Sequence, residues 1–154
     1  MIVLDQQHFA EIRAHGERDY PFECCGLLIG RFGGDGHKMV DETYPISNAR
    51  EEAAKRNRFL IRPEELIRGE NHARHKRLEV VGFYHSHPDD RALPSRYDLD
   101  HAWPTYSYVI VSVQNACAGD IRSWEMESDR SRFNEEEIGQ RSRGQRSDVS
   151  GAVA

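Results

Sequence analysis

The sequence is short of cysteine, of long apolar runs and of basic charge, and each shortage removes a class of protein. Cys24, Cys25 and Cys117 are an odd set with two members adjacent. That pattern does not suit a disulfide framework and fits a reducing cytoplasm, with the thiols read as small core hydrophobes. The longest apolar run, CCGLLIG at 24–30, falls well short of the roughly 20 residues needed to cross a bilayer, so no membrane span is expected. The opening MIVLDQQHFAEIRAHGERD carries acids and amides where a secretory signal has a basic start and a long apolar stretch, so export is not expected either. The net charge of -5 argues against a nucleic-acid partner, since phosphate-binding proteins usually present a basic face.

What is present suits one domain with one core. The chain has 154 residues, 31% charged and 38% hydrophobic, the balance of an ordinary soluble globular protein. DQQHFAEIRAHGER (5–18) predicts a helix capped by Asp5 with Phe9 and Ile12 on one side. CCGLLIGRF (24–32), the turn GGDG (33–36) and HKMVDETYPI (37–46) predict a hairpin. NAREEAAKRN (48–57) reads as a loop or short helical turn, RFLI (58–61) as a short strand, and PEELIRGENHARHKRL (63–78) as a helix despite Gly69. EVVGFYHSH (79–87), YSYVIVSV (106–113) and DIRSWEME (120–127) are β-branched and aromatic and read as strands. Strands alternate with helices without a regular βαβ rhythm, which predicts an α+β fold with a mixed sheet. The domain is expected over 1–138, with 139–154 as a flexible tail because Val149 and Val153 are its only sizeable apolar residues.

The chemistry concentrates in YHSHPDDRALPSRYD, residues 84–98. Along a strand, side chains alternate between faces, so His85 and His87 share one face and Ser86 takes the other. A helix starting near Ser95 brings Asp98 to the same side as the serine. Two imidazoles and one carboxylate form a three-ligand set that leaves the fourth position of a zinc ion open, as catalytic sites do. Each part has a second reading. His-x-His also occurs in strands that bind nothing, and Ser95-x-x-Asp98 is also the pattern of a capping box. His72 and His75 sit on an expected exposed helix and read as solvated. Glu23 stands where polar chain turns into a buried strand, a place that suits either a solvated carboxylate or one held beside a partner.

Taken together, Glu23, His85-Ser-His87, seven residues, Ser95, two residues and Asp98 resemble the JAMM (MPN+) metalloprotease motif. The flanks PFECCGLLIGR, VVGFYHSHP, LPSRYDLDHAWP and YSYVIVSV are similar to the compact bacterial branch of that family, from about residue 3 to about residue 138. The resemblance implies a cytidine-deaminase-like curved mixed sheet flanked by helices. It implies one zinc ion per chain held by His85, His87 and Asp98, with Glu23 as the general base and Ser95 steadying the oxyanion or the water. It further implies hydrolysis of a peptide or isopeptide bond after the C-terminal Gly-Gly of a ubiquitin-like or sulfur carrier protein. Two rival readings use the same residues. A non-heme iron oxygenase also holds its metal with two histidines and a carboxylate, and a binding scaffold would engage a ubiquitin-like partner without cleaving it.

Overall fold

In a computed structural model, which describes residues 1–141, the chain opens with a strand, β1 (Ile2–Asp5), whose Ile2 and Leu4 are fully buried. Asp5 ends that strand and caps α1 (Gln6–Asp19). Its carboxylate accepts the His8 backbone N–H at 3.0 Å, and His8 Nδ1 accepts the Asp5 N–H at 3.2 Å. This is a capping box with histidine in the place usually taken by glutamate or glutamine. The hairpin follows as β2 (Cys25–Phe32) and β3 (Lys38–Ile46). A single 3-10 turn (Glu52–Ala54) leads toward α2 (Pro63–His75), which has proline in its first turn. Then come β4 (Glu79–Pro88), α3 (Arg96–His101), β5 (Ser107–Gln114), β6 (Cys117–Met126), β7 (Phe133–Glu136) and β8 (Ile138–Arg141).

The strands form one sheet in the order β7-β6-β5-β4-β2-β3-β1-β8. β4 lies inside it, antiparallel to β2 and parallel to β5. α1 packs Phe9 and Ile12 on one face against Leu28, Tyr84, Val109 and Val111. On the other face, Ala73 of α2 packs against Leu27, Ile29 and Val80. With both faces covered, β2 and β5 read as continuous apolar runs rather than alternating ones. Gly69 is what lets α2 approach: a Cβ there would stand 2.1 Å from Leu27 Cδ1. The helix gives up propensity, about 1 kcal/mol relative to alanine, for that close contact.

Phe133–Arg141 joins the two ends of the sheet. Its first half pairs with β6 and its second with β1, and Ile2 N–H donates to the Glu137 carbonyl between them at 3.0 Å. The sheet is therefore strongly curved, and buried Lys38 of β3 reaches Glu136 across the join at 3.6 Å.

Several expectations are corrected. RFLI (58–61) forms no strand, because Phe59 is half-buried against His85 rather than paired in a ladder. β1, β7 and β8 carry too little local signal to be read in advance; β1 and β8 pair only at long range, and β7 is a four-residue strand returning along β6. The tail does not begin at Gly139, since β8 includes Gly139, Gln140 and Arg141 in register with β1. The remainder of the expected tail, 142–154, lies outside the described residues. Cys117 is exposed, whereas Cys24 and Cys25 are buried as expected. His72 is half-buried, its Nε2 2.7 Å from Glu42 Oε1. Among the described residues, no helix is long and apolar enough to cross a membrane.

Candidate metal centre

The parity of β4 puts His85 and His87 on the α2 side of the sheet, with Cys25 beside His85 in the β2 register. Ser86 faces the α1 side, where its Oγ accepts the Cys24 N–H at 2.8 Å and is wholly buried. Across the 88–94 loop, α3 starts at Ser95. Asp98 N–H donates to Ser95 Oγ at 3.1 Å, and Ser95 N–H donates to Asp98 Oδ2 at 2.8 Å. The capping box is therefore real, and it aims Asp98 at the histidines.

Three donor atoms converge. His85 Nε2 and His87 Nε2 lie 3.1 Å apart, His85 Nε2 is 3.2 Å from Asp98 Oδ1, and His87 Nε2 is 3.2 Å from Asp98 Oδ2. Among the described residues these side chains are the one group of three or more whose donor atoms lie close enough to share an ion, and all three are buried. Ligands 2.0–2.1 Å from a tetrahedral ion lie about 3.3–3.4 Å from one another; the observed spacings are close to that.

Proton placement leads to the same conclusion. His87 Nδ1 faces the Arg91 carbonyl at 2.9 Å, and a carbonyl only accepts, so Nδ1 carries the proton of neutral His87. Its Nε2 lone pair then faces a carboxylate oxygen, two acceptors 3.2 Å apart. A shared cation, either a proton on Nε2 or a metal ion, resolves that conflict. The same Nδ1–H is the outer-shell bond that orients a metal-binding histidine. His85 has no such partner, its Nδ1 being buried without a hydrogen bond, and it is oriented instead by the stacked Phe59 ring, with centroids 4.7 Å apart. Burial works against charge at Asp98, yet His85 and His87 hold its carboxyl well below the ordinary range. Burial likewise opposes charge on His87, and its bond to Asp98 outweighs that and raises it.

Glu23 comes to the same place from another strand end. It is 4% exposed, and burial pushes its carboxyl up to about 8; His87 lowers it and Asp98 raises it, so the carboxyl lies within the field of both. The solvated reading of Glu23 does not hold. Its backbone is fixed on both sides: Glu23 N–H donates to the Lys55 carbonyl at 2.6 Å, and its carbonyl accepts Asn48 Nδ2 at 3.0 Å.

Asn48 is the residue that sequence reasoning missed. Nδ2 donates to the Glu23 and Arg58 carbonyls, and Oδ1 accepts the Arg50 and Leu60 N–H groups, all at 3.0–3.1 Å. Every hydrogen-bonding position of the amide is used. The loop that carries Phe59 over His85 is thereby tied to the backbone of Glu23. An asparagine in a polar loop carries no signal that separates this role from solvation.

The curved mixed sheet, with two histidines on one inner strand and an aspartate on the following short helix, defines a JAB-type domain. Residues 5–127 match the prokaryotic homologs of the JAB domain, and the chain belongs to that family. It is 36% identical over 95 residues to a desampylase from Haloferax volcanii, a match that spans 61% of this chain and 65% of that protein, just under two thirds of its length. It is 33% identical over 117 residues to the CysO-cysteine peptidase of Mycobacterium tuberculosis, covering 72% of this chain and 73% of that protein. A protein from Desulfitobacterium hafniense solved in solution superposes with a TM-score of 0.80 at 31% identity, over 92% of this chain and 94% of that one. A JAB1/MPN domain protein from Archaeoglobus fulgidus shares the fold with a TM-score of 0.52 at 17% identity, over 92% and 95% of the two chains.

Proposed function

We propose that this protein is a zinc-dependent peptidase that cleaves the bond following the C-terminal Gly-Gly of a ubiquitin-like or sulfur carrier protein. The observation that carries the reading is the buried meeting of the His85, His87 and Asp98 donor atoms, with buried Glu23 within the field of His87 and Asp98. The named activities of the two relatives support the substrate class, both being proteins that act on conjugates or adducts by name.

His85, His87 and Asp98 would hold one zinc ion per chain, which supplies Lewis acidity to a water and to the carbonyl under attack. Glu23 takes a proton from the water and delivers it to the nitrogen of the leaving amine, the work of a general base that becomes a general acid. Its burial suits that role: burial raises the carboxyl above its ordinary range and a nearby zinc charge would draw it back down, the two effects opposing each other. Ser95 Oγ already accepts the Asp98 N–H, so its own hydroxyl proton is free to be donated to the oxyanion that develops on the cleaved carbonyl. Phe59 covers one face of His85 and limits water there.

The test is mass spectrometry of a bacterial sulfur carrier bearing one extra C-terminal residue, incubated with the zinc-loaded protein and with its Glu23→Ala variant. Loss of that residue is expected only with the unmodified protein. Intact carrier in both reactions, with zinc verified in the site, would remove the peptidase reading for that substrate class and leave a binding role.

A further inference from the structure

Two guanidinium groups lie against one aromatic ring, that of Tyr97, which neighbours Asp98 in sequence, and among the described residues neither has a counter-ion. Arg50 Cζ lies 5.3 Å and Arg58 Cζ 5.2 Å from the centre of the Tyr97 ring. His101 stacks on the same ring with centroids 4.0 Å apart, so the two cations share what is left of it. Arg50 Nη2 donates to the Tyr97 hydroxyl at 2.5 Å, and its Nε is buried with no partner. Among the described residues, neither arginine has a carboxylate within salt-bridge distance, although ion pairs are frequent elsewhere on the surface. Cation–π contact contributes only about 0.5–1 kcal/mol at exposed sites. Two like charges brought together on one ring call for an anion.

The position says which anion. Tyr97 directly precedes Asp98, and Arg58 directly precedes Phe59, whose ring lies on His85 and whose carbonyl accepts the Tyr97 hydroxyl at 3.3 Å. Tyr97 and Arg58 are therefore each one residue along the chain from a side chain that forms or covers the metal cluster. On the retained side of the scissile bond, Gly-Gly offers no charge, and an extended chain advances about 3.3–3.6 Å per residue, so any acidic side chain upstream is at least two residues away. On the leaving side, a single residue carries its own α-carboxylate two bonds from the amide nitrogen. Planar forked guanidinium groups match a carboxylate bidentately, which an ammonium cannot do.

We infer that Arg50 and Arg58 over Tyr97 form a subsite for the free α-carboxylate of the leaving residue. The preferred substrate is then a carrier extended by one free amino acid rather than a carrier joined through an isopeptide bond to a lysine of a folded protein, whose α-carboxylate is tied up in its own chain. This rests on the peptidase reading for its direction, but the subsite is testable by binding alone.

The probes are two synthetic carrier-tail peptides ending Gly-Gly-Ala, one with a free carboxylate and one with a carboxamide; alanine avoids a thiol that would seek the metal. Their dissociation constants are measured on the full-length zinc-loaded protein carrying Glu23→Gln, and on that protein with Arg58→Gln added; Arg58 is exposed, so its loss spares the fold. The free acid is expected to bind about 10- to 100-fold tighter than the amide, the range of a charged hydrogen-bonded pair. That preference should collapse to within about threefold with Arg58→Gln and return only in part with Arg58→Lys, which restores the charge but not the bidentate fork. Equal binding of acid and amide overturns the subsite, and so does a preference that survives Arg58→Gln, which would assign the carboxylate to the metal. Cleavage of a carrier–alanine adduct by the unmodified enzyme is followed separately, so failure of the peptidase reading is seen independently of either binding result.

Discussion

Replacing Glu23 by glutamine should damage activity and strengthen the metal-free fold. Glu23 has an ordinary value of 4.5 raised to about 8 by burial. Between those two pH values the folded protein keeps a proton that the unfolded chain has released, so stability falls as pH rises, by about 1.4 kcal/mol per pH unit. At pH 7 the accumulated cost is on the order of 3 kcal/mol. Glutamine fills the same space and has nothing to ionise. The metal-free variant should therefore melt about 6–12 °C above the metal-free parent at pH 7, from roughly 2–4 °C per kcal/mol for a chain of this size. At pH 4.5 or below, where both states hold the proton, the two should coincide. Zinc places positive charge beside the carboxyl and lowers its pKa, so loading the metal should shrink the gap. In the same zinc-loaded variant, peptide cleavage should drop by about 10²- to 10⁴-fold, the usual contribution of a general acid–base group. Melting curves against pH, with and without chelator, test the whole chain of reasoning. A metal-free variant that melts no higher than the parent at pH 8, or one that keeps its advantage at pH 4, would refute it.

Asp98→Asn keeps an oxygen able to accept the Ser95 N–H but loses the charge between the two imidazoles; zinc measured by elemental analysis after dialysis should fall from one ion per chain to a trace, and full retention would count against the ligand set. Ser95→Ala removes the cap of α3 and should cost about 1 kcal/mol of stability. Ser95→Asp should restore that stability but not the activity, which should stay about 10²- to 10³-fold down if the hydroxyl donates to the oxyanion; joint recovery would reduce Ser95 to a cap. Asn48→Ala strips four hydrogen bonds from the loop over His85. Hydrogen exchange at the Arg50 and Leu60 amides should speed up by about tenfold or more, corresponding to at least ~1.4 kcal/mol, which is within the cost of orphaning a buried polar group, while zinc content holds; unchanged exchange would show that the loop is secured elsewhere.

Local rules carried the sequence reading where the structure is local. The two-residue period placed His85 and His87 on one face and Ser86 on the other, and the Asp5 and Ser95 caps stand where their side chains announced them. The reading failed where an apolar or polar residue takes its meaning from distant chain. RFLI is as apolar as a strand, but Phe59 spends that character on His85. β1 lies between β3 and β8, and β8 has its partner in β1 across almost the whole described chain, which a window along the sequence does not see. Glu23 looks solvated because it stands where polar chain gives way to an apolar strand, and it is buried because β2 lies beside β4.

The two readings of Ser95-x-x-Asp98, helix cap or metal ligand, turn out not to compete. Asp98 Oδ2 accepts the Ser95 N–H and faces His87, while Oδ1 faces His85. A carboxylate with four lone-pair positions can serve both. The cap therefore fixes the rotamer that a metal ligand at Asp98 would need. Ser95 closes the same loop from the other side, because its Oγ accepts the Asp98 N–H and keeps its own proton to give. Forming the first turn of α3 thus brings the Asp98 carboxylate to both imidazoles and leaves the Ser95 hydroxyl proton free in one step, although a helix of six residues is too short to be stable alone.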